Sequence, residues 1–125
     1  MCDWVSAPTG VVGVMAKETK FLGEFEQMVL LAILQVGDLA YGRNVMDELE
    51  RRIDRKVSRG ALYVTLDRLE EKGMILSQLG EPTPRRGGRP KRLLSVTPAG
   101  VRGLKASRTA WMRLWEGLDS VLETR

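Results

Sequence analysis

The run VSRGALYVTLDRLEEKGMILSQLGEPTPRRGGRPKRLLSVTPAG, Val57 to Gly100, decides the fold, because the spacing of its apolar residues changes partway along it. Ser58 is a good helix N-cap, and Leu62, Leu66 and Leu69 follow at three- and four-residue intervals up to Gly73, the pattern of a helix with a narrow buried stripe. Met74 to Leu79 and Lys91 to Val96 are short runs of strand-like composition bounded by turn residues. Gly80 to Pro90, between them, is loop chemistry rich in Pro, Gly and Arg. Two strands about such a loop predict a β-hairpin with a basic tip. Thr97-Pro98 then predicts a new helix, a cap followed by proline at the first helical position, running to about Glu123.

Working outward, Phe25, Met28, Val29, Ala32 and Val36 predict a first helix from Glu24 that stops at Gly37. Leu30, Leu31, Ile33 and Leu34 fill its other faces, so it is expected to lie deep in the core. A second helix is expected from about Tyr41 to Arg52, with Gly42, Val45, Met46, Leu49 and Ile53 on one face and Asp47–Arg51 and Glu48–Arg52 as solvated i, i+4 pairs on the other. Residues 1–20 show neither period and read as a loose N-terminal arm, with Met15 an alternative start. The order is helix, helix, helix, hairpin, long helix. This is a mainly α fold with a small β-hairpin (α+β), a winged helix-turn-helix over 21–97 followed by a C-terminal dimerisation helix over 98–125.

Composition narrows the function. A chain of 125 residues with 43% hydrophobic and 29% charged residues is the size and balance of one globular domain. Its longest apolar run, the seven residues Met28–Leu34, is too short to cross a bilayer, and the N-terminus lacks the pattern of a secretory signal. One cysteine, Cys2, excludes an internal disulfide and suits a reducing cytoplasm; as a redox sensor it lacks a resolving partner. Histidine is absent, which removes the commonest general base and transition-metal ligand. No catalytic, metal or cofactor-binding residues are expected; Glu70-Glu71 as a catalytic pair is disfavoured because adjacent helix positions diverge. The net charge of +4 is concentrated: Arg55–Arg92 holds ten basic and four acidic residues, a net of +6 that leaves −2 elsewhere. Such a surface suits a polyanion.

Three helices and a hairpin in this order place the third helix for entry into a DNA major groove. Its N-terminal half, with Ser58, Arg59, Gly60, Tyr63 and Val64, is the expected groove contact, since Asp67 and Glu71 in the other half repel phosphates. Tyr63 is read either as a DNA contact or as a half-buried residue with a local hydroxyl partner. Arg85, Arg86, Arg89, Lys91 and Arg92 are expected to reach phosphates from the wing; a solvated loop is the bland alternative. Arg55 and Lys56 divide evenly between linker and backbone clamp.

Together, Leu22–Leu34, the Ala40-Tyr41-Gly42 opening of the second helix, Val57–Tyr63, Leu66–Gly73, Gly87–Arg92 and Leu94–Gly100 resemble the PadR family of bacterial transcriptional regulators over roughly 21–122. The resemblance implies a homodimeric winged-helix repressor on double-stranded DNA, often answering a small molecule and regulating its own or a neighbouring gene. By that motif Ser58, Gly60 and Tyr63 fall on recognition-helix positions and Arg89 to Arg92 on the wing. Two departures stand out: one C-terminal helix replaces the longer domain of larger members, and Leu93 stands where the family often has an aromatic residue.

In the last helix Leu104, Trp111 and Leu118 repeat every seven residues, with Val101, Leu114, Trp115, Val121 and Leu122 beside them. A stripe that long exceeds what one winged helix covers, so Leu104, Trp111, Leu114, Trp115, Leu118 and Leu122 are expected to meet a second copy; packing on the first helix of the same chain is the alternative. Trp111 and Trp115 also suit a planar apolar effector. The expected location is the cytoplasm, at the nucleoid. The competing function class is a winged-helix adaptor that binds protein instead of DNA, for which an arginine-rich wing has no use; an enzyme is a distant third.

Overall fold

The computed structural model describes residues 22–80 and 91–123. In chain order these form α1 (Glu24–Val36), α2 (Gly42–Ile53), α3 (Arg59–Glu71), β1 (Ile75–Leu79), β2 (Arg92–Val96), α4 (Pro98–Trp115) and α5 (Asp119–Glu123). Gly23–Arg102 make up one compact unit, and the residues from Gly103 onward belong to another. No helix among the described residues is long and apolar enough to cross a membrane.

In the first unit the α1 side chains Val29, Leu30, Ala32 and Ile33 are buried with Val45 and Leu49 of α2 and Leu62, Leu66 and Leu69 of α3; Ile75 and Leu94 of the hairpin complete this core. Each fully buried side chain of this size contributes about 1.5–3 kcal/mol relative to leaving it exposed. α1 packs on α2, α3 and β2. It is not buried all round, however: Leu31 and Leu34 stay 49% and 48% exposed. At about 100° per residue Leu31 lies opposite the Val29–Ile33 side, and Leu34 is turned about 120° from it. Buried Glu26 accepts the Gly23 N–H at 2.9 Å and pairs with Lys72 Nζ at 2.9 Å, tying the start of α1 to the end of α3. Burial, the largest influence, pushes the Glu26 pKa upward, but the bonds from Gly23 and Lys72 and the charges of Lys72 and Arg68 outweigh it. The result lies below the ordinary carboxylate value.

Of the two ion pairs expected on α2, Glu48–Arg52 is present and Asp47–Arg51 is not. Asp47 pairs with Arg43 at 3.5 Å, while Glu48 takes both Arg51 and Arg52. Glu48 is central to the two arginines, which frees Arg51 from Asp47, and the pull of both arginines lowers the Glu48 pKa.

Gly73, at φ 76°, turns the chain from α3 into β1 in a conformation that a side chain disfavours. β1 and β2 pair antiparallel from Ile75↔Val96 to Leu79↔Arg92. The Leu94 N–H reaches the Ala40 carbonyl at 2.9 Å, which seats β2 beside the turn that precedes α2. Thr97 Oγ1 accepts the Gly100 N–H at 3.0 Å and donates to the Gly73 carbonyl at 2.7 Å, so one threonine caps α4 and fastens it to the α3–β1 turn. The single long C-terminal helix expected from the sequence is interrupted: α4 ends at Trp115, Gly117 takes φ 79°, and α5 follows. The heptad spacing runs across this glycine, but a glycine just past a helix end readily adopts the left-handed conformation that stops it.

Candidate nucleic-acid interface

α3 is built to bury one side and present the other. Leu62, Thr65, Leu66 and Leu69 are buried, and Arg59, Gly60 and Val64 are exposed. Thirteen residues give it a length of about 20 Å, enough to lie along a major groove. Ser58 Oγ accepts the Ala61 N–H at 3.0 Å, so this hydroxyl caps the helix and fixes the geometry of its first turn.

Tyr63 is half-buried and has local partners on three sides. The Arg59 and Arg92 guanidiniums lie 5.8 and 5.9 Å from its ring centroid, within the range of cation–π attraction. Its hydroxyl end presses on Gly42, where an added Cβ would collide with the hydroxyl and lie 2.9 Å from Cζ. A glycine at the first position of α2 therefore seats the tyrosine of α3.

The root of the wing is anchored on both sides. The Gly80 N–H bonds the Lys91 carbonyl at 2.7 Å, closing the base of the loop. The Lys91 ammonium sits 4.1 Å from the Tyr41 ring centroid, at the entrance to α2. Arg92 Nη2 donates to Glu70 Oε1 at 2.7 Å and Asp67 Oδ1 at 3.3 Å, and Ser77 Oγ donates to the same Glu70 carboxylate at 3.0 Å. The hydrogen bonds from Arg92 and then Ser77 hold the Glu70 carboxyl below its usual range.

The structure thus brings Arg59, Tyr63 and Arg92 together, with Gly60 and Val64 on the same helix, Ser58 at its N-cap and Lys91 at the wing root. Arg85, Arg86 and Arg89 lie outside the described residues, as do Cys2 and the N-terminal arm. Arg55 is exposed in the α2–α3 link, 5.6 Å from the Phe25 centroid. Four participants escaped sequence reasoning: Gly42, Asp67, Glu70 and Ser77. One signal was available for the acids, since carboxylates on a helix facing DNA are costly unless a nearby base neutralises them.

In the second unit Leu104 is half-buried, and every residue from 111 to 123 is exposed. Trp111 and Trp115 show 50% and 45% of their surfaces, and Met112, Leu114, Leu118, Val121 and Leu122 are also open. Seven large apolar side chains are thus exposed within thirteen residues.

Residues 30–106, more than half of the chain, match the family model described as the transcriptional regulator PadR-like family. No curated protein matches significantly. Among solved structures, the chain is similar to a PadR family transcriptional regulator from Eggerthella lenta, with 26% identity, TM-score 0.62 and coverage of 82% of this chain and 88% of that one. It is also similar to a PadR-like transcriptional regulator from Bacillus cereus, with 21% identity, TM-score 0.64 and coverage of 81% and 93%. A transcriptional regulator from Clostridium thermocellum shares the fold at 23% identity and TM-score 0.63, over 76% and 89%. Three helices, a two-stranded wing and the matched span together mean that this chain belongs to the PadR-like family of transcriptional regulators, with their winged-helix DNA-binding fold.

Proposed function

We propose that the protein is a homodimeric repressor that binds a palindromic operator through α3 and the wing and is released by a small planar apolar effector. The observation that carries the reading is the division of α3: its buried stripe is confined to Leu62, Thr65, Leu66 and Leu69, while Arg59, Gly60 and Val64 remain open. In this reading Ser58, Arg59, Gly60, Tyr63 and Val64 meet the groove, and Arg85, Arg86, Arg89 and Lys91 meet phosphates. Arg92 stands beside them at the base of the wing, its guanidinium paired with Glu70 and Asp67. Leu104, Trp111, Leu114, Trp115, Leu118 and Leu122 pair two copies, which spaces two recognition helices about one DNA turn (about 34 Å) apart. Trp111 and Trp115 offer flat faces to an effector. The site of action is the nucleoid in the cytoplasm.

The test is titration of labelled duplexes, selected by the protein from a random pool, over a range of salt. Three or four basic contacts per subunit predict a log–log slope of about −5 to −7. Sedimentation equilibrium in parallel reports the dimer. A wild-type protein that selects no duplex, or that stays monomeric at micromolar concentration, defeats the reading.

A further inference from the structure

We infer that Arg92 acts as a positioning residue: shared by Asp67 and Glu70, its guanidinium clamps the wing to the recognition helix and holds Tyr63 in place. The inference rests on the reading that α3 and the wing bind DNA, and it separates Arg92 from the phosphate contacts around it.

The geometry commits this arginine inward. One Nη2 serves two carboxylates, Glu70 at 2.7 Å and Asp67 at 3.3 Å. Its side chain keeps only 25% of its exposure, and its guanidinium also faces the Tyr63 ring. Two carboxylates against one guanidinium leave the cluster at −1, which gives a phosphate no net attraction. A surface cation meant for DNA is better left unpaired, as Arg59 is with respect to any carboxylate among the described residues.

The cluster also spans the right elements. Arg59, Tyr63, Asp67 and Glu70 follow one another at i, i+4, i+8 and i+11, so they share one face of α3. In the hairpin register Arg92 lies opposite Leu79, and Ser77 lies opposite Leu94. Successive residues of a strand alternate faces, so Ser77 and Arg92 emerge on the same one. Glu70 therefore holds both strands, β1 through Ser77 and β2 through Arg92. Arg92 occupies the last rung of the register, at the end of the hairpin far from Ile75↔Val96. Lysine would carry the charge there, but it lacks the planar guanidinium that faces the Tyr63 ring while bonding the acids.

The experiment compares Arg92→Ala, Arg92→Lys, Glu70→Gln and the double variant Arg92→Ala/Glu70→Gln in the full chain. Backbone amide exchange is read over residues 76–79 and 92–95, together with binding to a duplex selected by wild type and to a random duplex of equal length. The clamp predicts that Arg92→Ala and Glu70→Gln each speed amide exchange about threefold to tenfold. Each should also lower the preference for the selected duplex by a similar factor. The double variant should be no worse than either single, because both remove one interaction, and Arg92→Lys should recover part of each loss. Direct phosphate contact predicts the opposite for Glu70→Gln: freeing Arg92 tightens binding while hairpin exchange stays at the wild-type rate. Arg92→Ala alone would then flatten the salt slope by about one per subunit. Unchanged exchange in both single variants overturns the clamp whatever the DNA result. A wild type that binds no duplex defeats the DNA reading instead, while exchange still judges the clamp.

Discussion

Gly100→Ala should destabilise the winged-helix unit strongly, although in most exposed helices the same change is favourable. Gly100 is buried in the first turn of α4. An added methyl would collide with the Met74 carbonyl oxygen and lie 2.7 Å from Val96 Cγ1 and 3.3 Å from the Met74 carbonyl carbon. The Met74 carbonyl has no freedom to retreat, because it accepts the Thr97 N–H at 2.9 Å and lies one residue from the Gly73 carbonyl bonded by Thr97 Oγ1. Overpacking of this kind costs about 1–3 kcal/mol. Loosening one or two of the Thr97 hydrogen bonds adds about 0.5–1.5 kcal/mol each. The better helix propensity of alanine returns about 0.5–1 kcal/mol. The net expectation is a loss of about 2–4 kcal/mol, a large part of the stability of a domain this size. Urea unfolding followed by circular dichroism, at a fixed protomer concentration, should show the midpoint falling by about 1–2 M with little change in slope. A variant within about 0.5 kcal/mol of wild type, the scatter of ordinary surface changes, would refute the close approach of α4 to the α3–β1 turn.

Leu66→Ala, which truncates a fully buried side chain of α3, should cost about 2–5 kcal/mol by thermal or urea unfolding. Arg59→Ala should leave unfolding nearly unchanged yet lower the preference for a selected duplex over a random one, measured by anisotropy; equal preference would turn this face of α3 away from the groove. Glu26→Gln should remove about 1 kcal/mol at pH 7 and flatten the acid limb of the stability curve. Because the folded-state pKa of Glu26 is depressed, its contribution is complete above the ordinary value of 4.5 and fades as pH falls through the lower folded value. An identical acid limb in the variant would count against the Lys72 pairing. Trp111→Ala with Trp115→Ala should shift sedimentation equilibrium from dimer towards monomer or aggregate; an unaltered dimer would clear the tryptophans of that role.

Local signals carried the architecture well. Ser58, Gly73 and Thr97-Pro98 mark boundaries through backbone chemistry within a few residues, and the structure places its elements at those marks. Signals that depend on what lies opposite were harder to read. Leu31 and Leu34 look like core by composition, but burial depends on which sides of α1 have neighbours. Gly117 is hidden by a heptad that continues past it. The wing arginines all read alike as charge, and only the register Leu79↔Arg92 brings one of them over Asp67 and Glu70. The seat of Tyr63 on Gly42 joins residues 21 apart in sequence, and no periodicity connects them.

The two tyrosines of the chain, Tyr41 and Tyr63, lie in the winged-helix unit, whereas Trp111 and Trp115 lie on the exposed C-terminal surface. The protein therefore carries two intrinsic optical reporters with separate addresses. With Trp4 replaced by phenylalanine, tryptophan emission would come only from the C-terminal surface, and its colour and its quenching by iodide would follow any covering of that surface. Tyrosine emission, excited at shorter wavelength in a background lacking all three tryptophans, would report the rings beside Lys91, Arg59 and Arg92. Any assembly through that surface and any DNA contact beside those rings would thus be seen separately in unlabelled protein, one colour for each.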